Sequence, residues 1–359
     1  MKNNLQPVYS GKGRAIYVQP NGTLYRSYHL TMYRSNDNGQ SWKKIVSIPR
    51  PFKRKIVEPI RLLCRLLRHE VRAFFPLRDG RHIAATRSGI FYSCMGDKIM
   101  YPAKIENNGY PMQYPRTLSC DKNGRILWGE YWGNSERREV RIYVSDDYGQ
   151  SFHIVHTFKP GETRHVHNIL YDETIKKYWV FTGDHNSDPG IGLLDYDFSS
   201  FEWVRKGKQM YRAVWAFDLI DHLVYATDTE KEINGIYILD KNNGKTEHIT
   251  EINGSCIYAT RCGDYYVIST SAEPVSRDLN GKNPVESSIW LSTDGYDWRN
   301  IYTGVKDLST SKWSYTYFQF GSLVLPRGES RNNTLMFSGQ ALKKVDGKVF
   351  TVDLSSLKQ

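Results

Sequence analysis

Apolar positions along the chain come in short runs of four to eight residues, broken by Gly, Asn and Asp, and long stretches with helical spacing are nearly absent. The first set of runs is RAIYVQ, TLYRSYH, TMYRS and WKKIVSI; a later set, RTLSC, RILWGEYW, EVRIYVS and FHIVHTF, repeats the scheme. Each set reads as strand, tight turn, strand, polar loop, strand, turn, strand. Cutting at each first strand gives units that begin near Arg14, Arg72, Arg116, His165, Arg212, Ser255 and Tyr315. Four-strand units of about 45–50 residues are the blades of a β-propeller. The expected fold is all-β: one propeller domain over 1–359 with seven blades, six being the alternative if the last unit shares strands with the N-terminus.

One segment breaks the pattern. In RPFKRKIVEPIRLLCRLLRHE (50–70), Ile60, Leu63, Cys64 and Leu67 follow helical spacing, with Leu62 and Leu66 widening the stripe. Lys53, Arg54, Lys55, Arg61, Arg65 and Arg68 surround it. The reading is a basic amphipathic helical insertion over 51–70 between the first two blades. Such a helix can lie on an anionic membrane surface; the alternatives are packing against the side of the domain and a dimer contact.

Three short polar stretches recur. SNDNGQSW (35–42) and SDDYGQSF (145–152) share Ser, Asp, Gly and an aromatic at fixed spacing, through Ser35, Asp37, Gly39 and Trp42 and through Ser145, Asp147, Gly149 and Phe152. STDGYDW (292–298) carries Ser292, Asp294, Gly295 and Trp298 with one residue fewer between Asp and Gly. All three fall between the third and fourth strands of a unit. Ser and Asp side chains cap backbone N–H groups in a tight turn, and Gly supplies positive φ. The motif therefore reads as a turn lock, with its carboxylates outside any catalysis. It resembles the Asp-box of sialidases and related glycan-active propellers. The resemblance implies a β-propeller whose pocket lies on the face opposite these turns. It also implies an Arg set for a substrate carboxylate, a Tyr nucleophile assisted by a Glu, and an Asp acid/base.

Counting back from the first turn of each unit puts Arg14, Arg72, Arg116, His167 and Arg212 in one register at the heads of successive inner strands. Cationic side chains in register read as an anion-binding funnel, and the planar guanidinium fork suits a carboxylate. Loops between second and third strands add Glu130 and Tyr131, Asp184 and His185, and Arg277; Arg164 and His165 sit beside His167. Tyr258, Tyr315 and Tyr317 read as inner-strand tyrosines of the last two blades. The candidate catalytic set is Glu130, His167, Asp184 and Tyr317. The candidate substrate-binding set is Arg14, Arg72, Arg116, Arg164, His165, Arg212, Tyr131, Tyr258 and Arg277. His165 and His167 alternate on a strand and face one side. No cofactor is expected, although the pair would hold a metal if Asp184 or His185 gave a third ligand.

Charge narrows the partner. The 359 residues carry a formal net charge of +11, which favours an anionic partner. No nucleic-acid-binding module is recognisable, so an acidic glycan is the expected substrate. The preferred activity is a sialidase-like glycoside hydrolase. The second reading is a polysaccharide lyase in which Arg neutralises a uronate carboxylate and a His/Tyr pair moves protons. The third is a propeller that binds an anionic glycan or protein without catalysis. The five Cys form no CxxC pair and read as reduced thiols. With no apolar leader in the sequence as given, the expected location is cytoplasmic, peripheral at the inner membrane surface.

Overall fold

The computed structural model describes residues 5–50, 52–108, 118–121, 123–184, 187–274, 284–309 and 311–357. It is nearly all-β with three short helices, α1 (Phe52–Val57), α2 (Arg61–Leu66) and α3 (Lys312–Phe318). Two compact units divide the chain, one made chiefly of its two ends (1–71 and 250–359, with 230–234) and one of the middle (72–229 and 235–249).

The middle unit is built of antiparallel meanders in sequence order. They open with the strands Ala73–Pro76, Ser119–Cys120, His165–Asp172 and Ala213–Asp218. The third is the most regular: His165–Asp172, Lys177–Gly183, Gly190–Asp195 and Phe201–Lys206 pair in order. Its inner strands are apolar on both faces, and Val166, Ile169, Tyr178 and Val180 pack against Leu127, Val140 and Ile142 of the preceding meander. On the other side Trp179, Phe181 and Ile191 pack against Ala213, Leu223 and Tyr225. Near-continuous hydrophobic runs are what strands buried on both faces require.

In the terminal unit, Arg14–Val18 opens a meander that ends at Lys43–Ser47, and Ser255–Cys262 opens one that ends at Arg299–Val305. Gly321–Val324, Thr334–Gln340 and Lys348–Asp353 form a third, and the N-terminal strand Val8–Lys12 adds antiparallel to its outer edge. The units expected at Arg14, Arg72, Arg116, His165, Arg212 and Ser255 thus begin within three residues of a first strand. The last does not. Residues 312–318 are helix α3, and its meander starts at Gly321, so Tyr315 and Tyr317 are helical rather than inner-strand residues. Tyr315 is buried with its hydroxyl donating to the Pro284 carbonyl, whereas Tyr317 is exposed.

The three repeated turns behave as locks. Gly39 N and Gly149 N donate to Ser35 Oγ and Ser145 Oγ at 2.9 and 2.8 Å, and Gly295 N donates to Ser292 Oγ at 2.9 Å. Asp37 accepts from Ser35 and Ser41, and Asp147 accepts from Ser145 and Ser151. Those hydroxyl and amide donors hold the exposed Asp37 carboxyl down at about 2. Gly149 has φ +82°, and a Cβ there would stand 2.2 Å from Ile83 Cδ1, so both conformation and space demand glycine. Phe152 and Trp298 are buried, while the Trp42 indole donates to the Ser10 carbonyl at 2.7 Å.

The expected helix over 51–70 is two helices. Pro59 ends α1, because the residue before a proline avoids helical backbone. Only Cys64 of the expected stripe turns fully inward, joined by Arg65. Ile60, Leu62, Leu66 and Leu67 are exposed.

Candidate functional site

The middle unit gathers Tyr131, Arg164, His165, His167, Asp184 and Arg212. Backbone geometry explains how. In the His165–Asp172 strand, His165 pairs with Gly183 and Val166 with Thr182, and then a bulge leaves His167 unpaired. A bulge re-aims the side chain it carries. It lets both imidazoles converge, with His165 Nε2 and His167 Nε2 3.1 Å apart. Gly183 makes room: a Cβ there would come within 2.6 Å of His167 Cε1. The neighbouring strand is tied in through Val166 N, which donates to the Glu130 carbonyl at 3.0 Å. This brings Tyr131 to stack on His165, ring centroids 3.9 Å apart.

Register differs from the count made on the sequence. Equivalent bulges follow Ala15 in the first meander and Cys256 in the sixth, and one lies between Ala213 and Ala216 in the fifth. By that marker the partner of Arg14, Arg212 and Ser255 is His165, and His167 occupies the bulge itself.

The second nitrogen of each ring fixes its tautomer. His165 Nδ1 faces the Trp132 carbonyl at 3.2 Å, and His167 Nδ1 faces the Ala213 carbonyl at 3.0 Å. A carbonyl only accepts, so each Nδ1 carries the proton and each Nε2 presents a lone pair. Both Nε2 atoms then face Asp184 Oδ1, each at 3.2 Å. Three acceptors form a triangle with edges of 3.1–3.2 Å. Mutual repulsion makes that triangle costly unless a cation or proton lies among them.

Asp184 is the hub. Arg212 Nη2 lies 2.9 Å from Oδ1 and Arg164 Nη1 lies 3.2 Å from Oδ2. Arg212 Nη1 and Gln209 Nε2 also donate to the Asp184 main-chain carbonyl. Burial by itself would raise the Asp184 carboxyl, but the groups around it, Arg212 among them, outweigh it and hold it well below the usual range. Burial lowers the His167 imidazole and keeps the ring neutral near pH 7. His165, His167 and Arg212 are buried, while Tyr131 and Arg164 are half-exposed.

The donor set suits a divalent metal. A triangle of these edges fits ligands about 2.1 Å from one centre at roughly 95–100° to each other, as in a two-histidine, one-carboxylate face. The Nδ1 bonds to carbonyls are the supporting contacts that metal-ligating histidines usually have.

The other expected site residues are placed as follows. Glu130 is sealed from solvent, its carboxylate accepting from Arg141 N at 3.0 Å and the Tyr143 hydroxyl at 3.2 Å. Arg72 is half-buried just before its strand, with its amide bonded to Ala85. Arg14 and Tyr258 belong to the terminal unit, where Arg14 Nη2 donates to the Tyr258 hydroxyl at 2.8 Å and Nη1 to Gln340 at 2.6 Å. Glu70 lies 3.6 Å from Arg14, so this arginine has a local acid. It lines a cavity of about 260 Å³ with His29, Glu58, Arg61 and His69. Tyr317 lies on the exposed side of α3, away from any inner strand. Arg116, His185 and Arg277 lie outside the described residues. The sequence reading missed Gly183, Gln209 and the carbonyls of Trp132 and Ala213. Only Gly183 left a trace, as a glycine at a strand end that no turn requires.

No protein-family model matches the chain, and no curated protein matches it. Solved structures do. An oligogalacturonate lyase in complex with manganese superposes with TM-score 0.60 at 8% identity, over 96% of this chain and 90% of the other. The extracellular domain of a presumed one-component system from B. thetaiotaomicron gives 0.59 at 10% identity and covers 99% of this chain. An ancestral GH74 enzyme gives 0.51 at 15% identity over 94% of this chain. This chain spans 42% of the B. thetaiotaomicron chain and 46% of the GH74 enzyme. At such identities the likeness is one of fold: a nearly all-β protein with propeller-like neighbours, several of them glycan-related.

Proposed function

We propose that the protein is a carbohydrate-active enzyme that cleaves a uronate-bearing polysaccharide by β-elimination at the Asp184 cluster. The observation that carries this is the triangle of His165 Nε2, His167 Nε2 and Asp184 Oδ1, three acceptors with two guanidiniums and a tyrosine beside them. His165, His167 and Asp184 would hold a divalent cation, and manganese is the ion named for the similar lyase. Such an ion, when bound, polarises a substrate carboxylate as a Lewis acid.

Arg164 reaches the same point from a half-exposed position, where its fork can pair with a uronate carboxylate. Neutralising that carboxylate acidifies the proton on the adjacent ring carbon, C5. Tyr131 is the half-exposed tyrosine of the cluster and is assigned to proton transfer. The C5 proton leaves to a base, its electron pair forms the C4–C5 double bond, the C4–O bond breaks, and the leaving oxygen takes a proton. His167 holds rather than abstracts, because it is buried and both its nitrogens are engaged.

Elimination is preferred to hydrolysis on the state of the carboxylates. A glycosidase acid must hold a proton near neutral pH. Asp184 is kept ionised, and Glu130 is sealed inside its sheet. We also read the meanders as seven blades, the last completed by Val8–Lys12; that strand pairing supports the count. The test is incubation with a panel of uronate-containing and neutral polysaccharides, with and without added manganese. Ultraviolet absorbance from the new double bond is expected with the uronates alone. Reducing ends without that absorbance would restore the hydrolase reading. Neither signal, with glycan binding retained, would leave a binding protein.

A further inference from the structure

The helical insertion presents apolar side chains to solvent, as does α3. Ile56, Ile60, Leu62, Leu66, Leu67, Trp313 and Tyr317 are each 38–64% exposed. These are seven of the eighteen large apolar side chains exposed among the described residues, and they fall within two short stretches, so the clustering is not background.

α2 and α3 are held together from beneath. The Arg65 guanidinium is buried, donates from Nε to the Phe318 carbonyl at 2.9 Å and pairs with Asp307. Arg68 Nη2 donates to the Thr316 carbonyl at 3.1 Å. Leu62 and Leu66 on α2, and Trp313 and Tyr317 on α3, are each four residues apart and so share a helix face.

Charge around this patch is one-sided. Glu58 is taken by Arg50 and His69, Asp307 by Arg65, and Asp346 by Arg61. None of these acids is exposed, whereas Lys55, Arg61, Lys343, Lys344 and Lys348 are. The three lysines flank Asp346, whose bond to Arg61 brings their loop to α2.

We propose that this face, α2 and α3 with the 343–348 loop, docks on an anionic lipid bilayer. Leu62 and Leu66 enter the acyl boundary, Trp313 and Tyr317 sit at headgroup level, and the lysines meet the headgroups. Among the described residues no helix is long and apolar enough to cross the membrane. The contact is a surface one that would keep the protein beside a membrane-attached glycan, but it stands whether or not the lyase reading does.

The full chain should be sedimented with vesicles of phosphatidylcholine alone and of equimolar phosphatidylcholine and phosphatidylglycerol. Binding is expected to the anionic vesicles only, and to weaken as salt rises. The double variant Leu66→Ser with Trp313→Ser should lower partitioning at least tenfold, with its melting temperature confirming the fold. Lys343→Glu with Lys344→Glu should lower it by a larger factor than roughly fivefold per charge removed, because sign is reversed as well as lost. No sedimentation with either vesicle, or binding unchanged in the Leu66/Trp313 variant, overturns the proposal. Equal binding to both vesicles overturns its anionic part. Self-association of the wild type that the same variant abolishes would give the face to a second copy of the chain.

Discussion

Replacing Asp184 with Asn tests the centre of the argument, because it keeps the shape and removes the charge. Two guanidiniums lie within 2.9 and 3.2 Å of that carboxylate in a buried setting. Breaking a buried ion pair from one side costs about 3–5 kcal/mol. Arg212 keeps its bond to the Asp184 carbonyl, which favours the lower end. At about 2–4 °C per kcal/mol for a body of this size, the metal-free variant should melt roughly 6–12 °C below the wild type. The second half of the test is metal. Manganese at one hundred times its dissociation constant would stabilise the wild type by about 2.7 kcal/mol, a rise of roughly 5–11 °C. The variant has two imidazole ligands and no anionic one, so the rise should vanish. Differential scanning fluorimetry on EDTA-treated protein, with and without manganese, reads both effects, and titration calorimetry checks the affinity. A wild type indifferent to manganese in both assays would refute the metal reading. An Asn variant that melts with or above the metal-free wild type would refute the ion-pair reasoning itself.

Gly183→Ala should displace the His167 ring, since the new methyl would lie 2.6 Å from it; manganese affinity should fall about tenfold or more, and overpacking should lower stability by about 1–3 kcal/mol. Asp147→Ala removes the carboxylate that ties Ser145 to Ser151 and should cost about 1–2 kcal/mol of stability with polysaccharide cleavage unchanged. Because the Asp147 carboxyl is held below its usual range, the stability it brings is present above about pH 3.9 and lost as pH falls further, so thermal melts of wild type and variant should converge in acid. Lys241 is buried between Asp172 and Asp218, and Lys241→Met should destabilise by about 3–5 kcal/mol. Burial raises Asp218 to about 6, so its proton is bound more tightly folded than unfolded, and that contribution is present at low pH and lost as pH rises through about 6. The Met variant should therefore melt closest to wild type at pH 5 and furthest from it at pH 7.

The meander boundaries were legible because turn chemistry is local. An Asp or Asn side chain capping its own turn, with Gly at positive φ, leaves the same trace at Ser35, Ser145 and Ser292. α3 was not legible for the opposite reason. WSYTYF alternates aromatic and small residues and reads as a strand, yet its C-terminal carbonyls are claimed by Arg65 and Arg68, some 250 positions earlier in the chain. A helix capped by distant side chains has no local signature. At the site, the residue types and their neighbourhood were visible: His165, His167, Asp184, Arg164, Arg212 and Tyr131 do meet. Their roles were not. Counting back from the turn assumes strands of equal length, but the His165–Asp172 strand runs five residues past its bulge where Arg14–Val18 runs two, so His167 stood in for His165. Glu130 looked exposed because it follows a strand next to a polar loop, and nothing local announces that Tyr143 and the Arg141 amide will close over it.

The recurring bulge has a bearing on how such a chain could change its chemistry. A residue outside the ladder can be exchanged without disturbing strand pairing. Ile16 and Ile257 occupy in their own strands the position that His167 occupies in its own. Each is an aliphatic residue on a backbone already bent to aim a side chain inward. A reactive group could be gained or discarded there by single substitutions, with the scaffold unaltered. The inner strands in this sense form a set of interchangeable sockets, of which the His167 strand carries an imidazole and its counterparts carry hydrocarbon.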